Sequence, residues 1–89
     1  MKIAKNTKRA RSIVQGAHDV RCYSLNNNFT GTPMSADPVR RDERGEIIAC
    51  TQAEALTAHL AGRHSYLHAK ENGRYVIHVH GNLWYEFAA

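Results

Sequence analysis

The sequence predicts a small α+β domain: an antiparallel sheet of about five strands with one principal helix, in the order α-β-β-α-β-β-β. Three observations carry that prediction. Thr51-Gln52-Ala53-Glu54 has the spacing of a capping box and opens a helical apolar pattern. Asn72-Gly73 and Gly81-Asn82 are tight-turn signals. The segments around those turns, 64–71, 74–80 and 83–87, are rich in residues that favour strands.

In chain order, Asn6 stands where it would cap a short helix over 6–15, with Ala10, Ile13 and Val14 as a narrow apolar stripe and Gly16 as the stop. Lys8, Arg9 and Arg11 fall in its first turns, where they oppose the macrodipole. Residues 19–25 alternate and contain Val20, Cys22 and Tyr23, which predicts a strand. Residues 26–45 hold Asn, Gly and Pro signals throughout and sustain neither period, so they predict a long loop of the kind that carries function. Residues 46–50 read as a short buried strand. The capped helix follows, with Ala53, Leu56 and Leu60 on one face and Gly62 closing it in the left-handed conformation.

A chain of 89 residues suffices for one domain, 1–89, and not for two. Its hydrophobic share of 43% belongs to folded rather than disordered chains. No apolar run approaches the ~20 residues that span a bilayer, and the basic amino-terminal segment lacks the apolar stretch of a signal peptide. A cytoplasmic protein is therefore expected. In that setting the isolated Cys22 and Cys50 are expected as two buried thiols rather than a disulfide.

Taking both turns as two-residue loops sets Glu71 opposite Arg74 and His80 opposite Leu83. One face of the meander then carries Tyr66, His68, Lys70, Tyr75, Ile77, Val79, Trp84 and Glu86. The other carries Leu67, Ala69, Val76, His78, His80, Leu83, Tyr85 and Phe87. Neither face is cleanly polar, which is more apolar and aromatic surface than a sheet with one solvated side needs. If the helix covers Leu67, Val76, Leu83 and Phe87, then Tyr66, His68, Lys70, Tyr75 and Trp84 remain as a platform for unpaired bases, at about 1–3 kcal/mol per stack. If it covers the other side, His78 and His80 face outward. A third arrangement covers both faces, the second by the amino-terminal segment or by a homodimer partner.

The chain holds no GxSxG, P-loop, GxGxxG, CxxC or HExxH pattern. His78-Val79-His80 has a spacing that chelates zinc, yet nothing in the sequence supplies a set third ligand, so no metal, cofactor or catalytic residue is expected. The residues expected to carry binding, to a protein partner or to nucleic acid, are Lys8, Arg9, Arg11, Arg40, Arg41, Tyr66, His68, Tyr75, His78, His80 and Trp84. A net charge of +4, with five cations ahead of the first acidic residue Asp19, favours polyanions or acidic surfaces.

Gly62-Arg63-His64-Ser65-Tyr66-Leu67-His68, followed by Gly73-Arg74, Val76 and Val79-His80-Gly81-Asn82, resembles the central hairpin of HicA-type toxins. Those are small basic mRNA interferases with a double-stranded-RNA-binding-domain-like fold. The resemblance spans residues 62–82 and implies His64 as a general base. In architecture, a strand, a short capped helix and an antiparallel meander without a catalytic motif are similar to several small phage-encoded anti-CRISPR proteins. That likeness implies a stoichiometric inhibitor of a CRISPR effector complex, acting in the bacterial cytoplasm. The leading expectation is thus a non-enzymatic binding protein of a phage or mobile element, with direct RNA or DNA binding second and a ribonuclease using His64 third.

Overall fold

A computed structural model describes residues 1–24, 30–35 and 38–89. Leu25, at the end of the expected strand, and residues 26–29 and 36–37 of the expected loop lie outside the described residues. The elements are β1 (Lys2–Ile3), α1 (Lys8–Gln15), β2 (His18–Ser24), β3 (Thr32–Pro33), β4 (Val39–Arg41), β5 (Ile47–Ala49), α2 (Gln52–Leu60), β6 (Tyr66–Ala69), β7 (Tyr75–His80) and β8 (Leu83–Ala88). The fold is α+β. Six strands form one antiparallel sheet in the order β1-β6-β7-β8-β2-β3, and β4 and β5 form a separate pair.

The second helix starts where its capping box stands. The Glu54 amide donates to the Thr51 hydroxyl at 3.1 Å, and the Thr51 amide donates to the Glu54 carboxylate at 3.2 Å. Two of the amides that a helix start leaves unpaired are thereby satisfied. The helix ends on Ala61, and Gly62 does not take the expected left-handed conformation. Its missing Cβ has another use: a methyl there would lie 2.7 Å from the Ser65 hydroxyl. At α1 the cap is Thr7 rather than Asn6, its hydroxyl accepting from the Ala10 amide at 3.2 Å.

Both helices pack on the same side of the large sheet. Ala10 and Val14 of α1 and Leu56 and Leu60 of α2 meet Ile3, Val20, Leu67, Ile77 and Phe87 in one core. Phe87, Leu56, Leu67 and Ile77 are its largest fully buried side chains, each contributing about 1.5–3 kcal/mol through burial. The amino-terminal segment therefore shares the helical layer and does not cover the second sheet face. Its first residues extend the sheet edge, with the amino terminus donating to the Ala69 carbonyl at 2.9 Å and the Ala69 amide to the Met1 carbonyl at 2.8 Å.

The meander has the expected strands but not the expected registers. Lys70 and Arg74 close the first loop, so that three residues, Glu71, Asn72 and Gly73, separate the strands, with Gly73 at φ +82°. A three-residue loop with a left-handed glycine is the next most favoured hairpin after the two-residue form. It slides β7 by one residue against β6, pairing Leu67 with Ile77 and Tyr66 with His78. The second turn does set His80 opposite Leu83, but a bulge between His78 and His80 then pairs His78 with Trp84. The two single-residue offsets cancel between β6 and β8. Only β7 is turned over, which moves Tyr75, Ile77 and Val79 to the helical side and Val76 and His78 to the open side.

The region 26–45 is less structureless than expected, since it contributes β3 and β4. Residues 46–50 do not form a buried strand. Ile47 is 61% exposed, and among the described residues β5 pairs only with β4, through a turn in which the Asp42 carboxylate accepts from the Arg44 and Glu46 amides. The second helix packs more closely on β7 of the main sheet than on this hairpin. Cys22 and Cys50 are not joined in a disulfide, and both are half-buried.

Candidate binding face of the sheet

The side of the sheet turned away from the helices carries a row of rings that crosses four strands. Tyr66 of β6 stacks on His78 of β7, centroids 5.1 Å apart and planes within 2°. His78 stacks on Trp84 of β8 at 5.9 Å and 12°, and Trp84 on Tyr23 of β2 at 5.6 Å and 5°. Register makes this row: Tyr66 pairs with His78, His78 with Trp84, and Trp84 with Tyr23. At its outer end Lys2 of β1 places its ammonium 5.3 Å from the Tyr66 ring centre, and His68 packs on the same ring at 5.7 Å.

Parallel rings at these centroid distances are offset-stacked rather than eclipsed. Their spacing follows the interstrand distance of about 4.8 Å, as for cards standing on the sheet. Stacking a base would require parting the row, at about 0.5–1.5 kcal/mol per ring pair.

The adjacent row is polar but internally matched. Glu86, buried beside Val76, accepts from Lys70 Nζ at 3.2 Å and pairs with Arg74 Nε at 3.2 Å. Arg74 also binds Asp19 twice, through its carboxylate at 3.1 Å and its carbonyl at 2.8 Å. Asp19 sits at φ +50° beside the bulge of β2, a left-handed position that Asp tolerates better than most residues. The Arg21 guanidinium donates to the Gly31 carbonyl at 3.2 Å. Burial first, and then the positive amino terminus, His78 and Lys70, hold the His68 imidazole below its ordinary pKa.

The structure brings together Tyr66, His68, His78 and Trp84 of the expected binding residues. It separates the rest. Tyr75 lies on the helical side, its ring 5.9 Å from Phe87 and packed against the core, because the three-residue loop turns β7 over. His80 is exposed at the turn beyond the bulge. Lys8, Arg9 and Arg11 are exposed on α1, in the layer behind the sheet. Arg40 and Arg41 belong to the β4–β5 hairpin, where Arg41 donates to the Gly45 carbonyl at 2.7 Å. Sequence reasoning missed Tyr23 and Lys2. Their place in the row depends on the β2–β8 and β1–β6 pairings, which join distant parts of the chain and leave no local signal.

Behind the sheet, His59 of α2 stacks on Tyr85 at 4.6 Å. Burial lowers the His59 pKa, and burial together with the neighbouring Cys22 thiol pushes the Tyr85 hydroxyl up to about 12. Among the described residues, no three His, Cys, Asp or Glu side chains are grouped to hold a metal ion, and no helix is long and apolar enough to cross a membrane. Compared with protein-family models, curated proteins and solved structures, the chain matches none.

Proposed function

We propose that this chain is a non-enzymatic binding protein that engages a protein partner through the ring row on its open sheet face. The row itself is the observation that carries the reading: four parallel rings across four strands, on a face that neither helix covers. Aromatic residues anchor protein interfaces because they bury large area with few rotamers to freeze. A row already stacked and braced by Lys2 at one end is ordered before binding, which reduces the entropy that association costs. The row suits contacts with protein side chains and backbone better than intercalated bases, because inserting a base between two rings would part a stacked pair.

The partner class carried by the architectural likeness is the nucleic-acid-binding surface of a CRISPR effector complex, with this chain as an inhibitor. The test is phage plating on a CRISPR-carrying host that expresses the protein, paired with capture of the effector complex. Plating should recover with the native chain and fail with His78→Glu, which sets a carboxylate between Tyr66 and Trp84. Unchanged plating and no captured complex with the native chain would sink the reading.

Direct nucleic-acid binding remains the second reading, favoured by the exposed Lys8, Arg9 and Arg11 of α1. It requires an affinity for oligonucleotides that falls steeply with salt, because phosphate contacts release counterions.

A further inference from the structure

We infer that the cleft between β1 and the turn joining α2 to β6 is a binding site for a phosphate group. The cleft encloses about 360 Å³, and Lys2, Lys5, Arg63, His64, Ser65 and Tyr66 line it. Three permanent cations and an imidazole share this space, and no carboxylate lines it. Elsewhere on the sheet the arrangement is the opposite, with Lys70 and Arg74 set against Glu86 and Asp19. Neither Arg63 nor His64 takes part in an ion pair among the described residues.

Two of the cations are held in place by the fold. The Lys5 ammonium donates to the Gly62 carbonyl at 2.7 Å and to the Ser65 carbonyl at 2.9 Å, which holds its charge against the turn that lines the cleft. The Lys2 ammonium is held over the Tyr66 ring. Arg63 and His64 lie in the turn between those two anchors, where Arg63 can offer its planar fork of donors to a tetrahedral oxyanion. Gathering like charges in one cleft is unfavourable until an anion enters, so the arrangement favours a multiply charged group over chloride. The site stands independently of the protein-contacting role of the ring row, although Lys2 and Tyr66 border both.

The phosphate has two possible sources, a nucleic-acid end and free inorganic phosphate. Amide resonances of the full chain should be followed by NMR during titration with sodium phosphate, with sodium chloride at matched ionic strength as the control. A short single-stranded oligothymidylate is then compared with and without its terminal phosphate. Phosphate should shift the amides of residues 62–66 saturably while chloride does not. Arg63→Gln and Lys2→Gln, both exposed positions, should each weaken binding by about tenfold. Tighter binding of the phosphorylated strand assigns the nucleic-acid end as the source. Equal binding of the two strands, with inorganic phosphate still saturating, assigns free phosphate. Equal shifts with chloride, or phosphate affinity unchanged in both variants, overturns the site.

Discussion

Single residues tie this sheet to pH. The His59 ring is half-buried against Tyr85, and the His68 ring lies beside the amino terminus, His78 and Lys70; both are held below the ordinary value of 6.5. In the unfolded chain these rings take up protons near pH 6.5, whereas in the fold they resist to lower pH. Over that interval the unfolded state binds more protons, so stability is fully present above 6.5 and is lost as pH falls through it toward the folded values. Urea midpoints should therefore decline between about pH 7.5 and pH 5. His59→Phe keeps a ring on Tyr85 and removes one titrating group, so its profile should be flatter than that of the native chain. Parallel profiles would place the pH dependence elsewhere.

At the scale of elements, one glycine decides which side chains the sheet presents. Gly73 at φ +82° closes the three-residue loop, and its position has open space where a Cβ would go. Gly73→Ala should therefore cost only the backbone penalty, about 1–2 kcal/mol, seen as a lower urea midpoint with an unchanged slope. A slope that changes too would mean that the register has slipped and the faces have mixed. The same loop shows where the sequence stopped being legible. Asn72-Gly73 correctly announces a hairpin with a left-handed glycine, but two-residue and three-residue loops share that signal and differ by one residue in register. The bulge at Val79 has no composition signal at all. The capping box of α2 was legible because its two hydrogen bonds lie within four consecutive residues. The β6 and β8 halves of the ring row were legible because the two offsets cancel, whereas Tyr23 and Lys2 depend on pairings across most of the chain.

For the whole molecule, charge and aromatic surface are divided between two sides of the sheet. The ring row faces one way with its cations largely paired, while Lys8, Arg9 and Arg11 lie on α1 in the layer behind it. The division separates two contributions to association that a net charge of +4 would otherwise blur. If the row makes the contact, the α1 cations act only at a distance, steering the encounter with an acidic partner without entering the interface. Replacing all three by Gln should then slow association at low salt by about tenfold, leave dissociation nearly unchanged, and lose its effect as salt shortens the screening length. His78→Glu on the opposite face should instead speed dissociation at every salt concentration, because it disturbs the contact itself. Surface plasmon resonance at two ionic strengths separates the cases. Faster dissociation in the α1 variant would move the interface to the helical side, where the basic helix and not the ring row meets the partner.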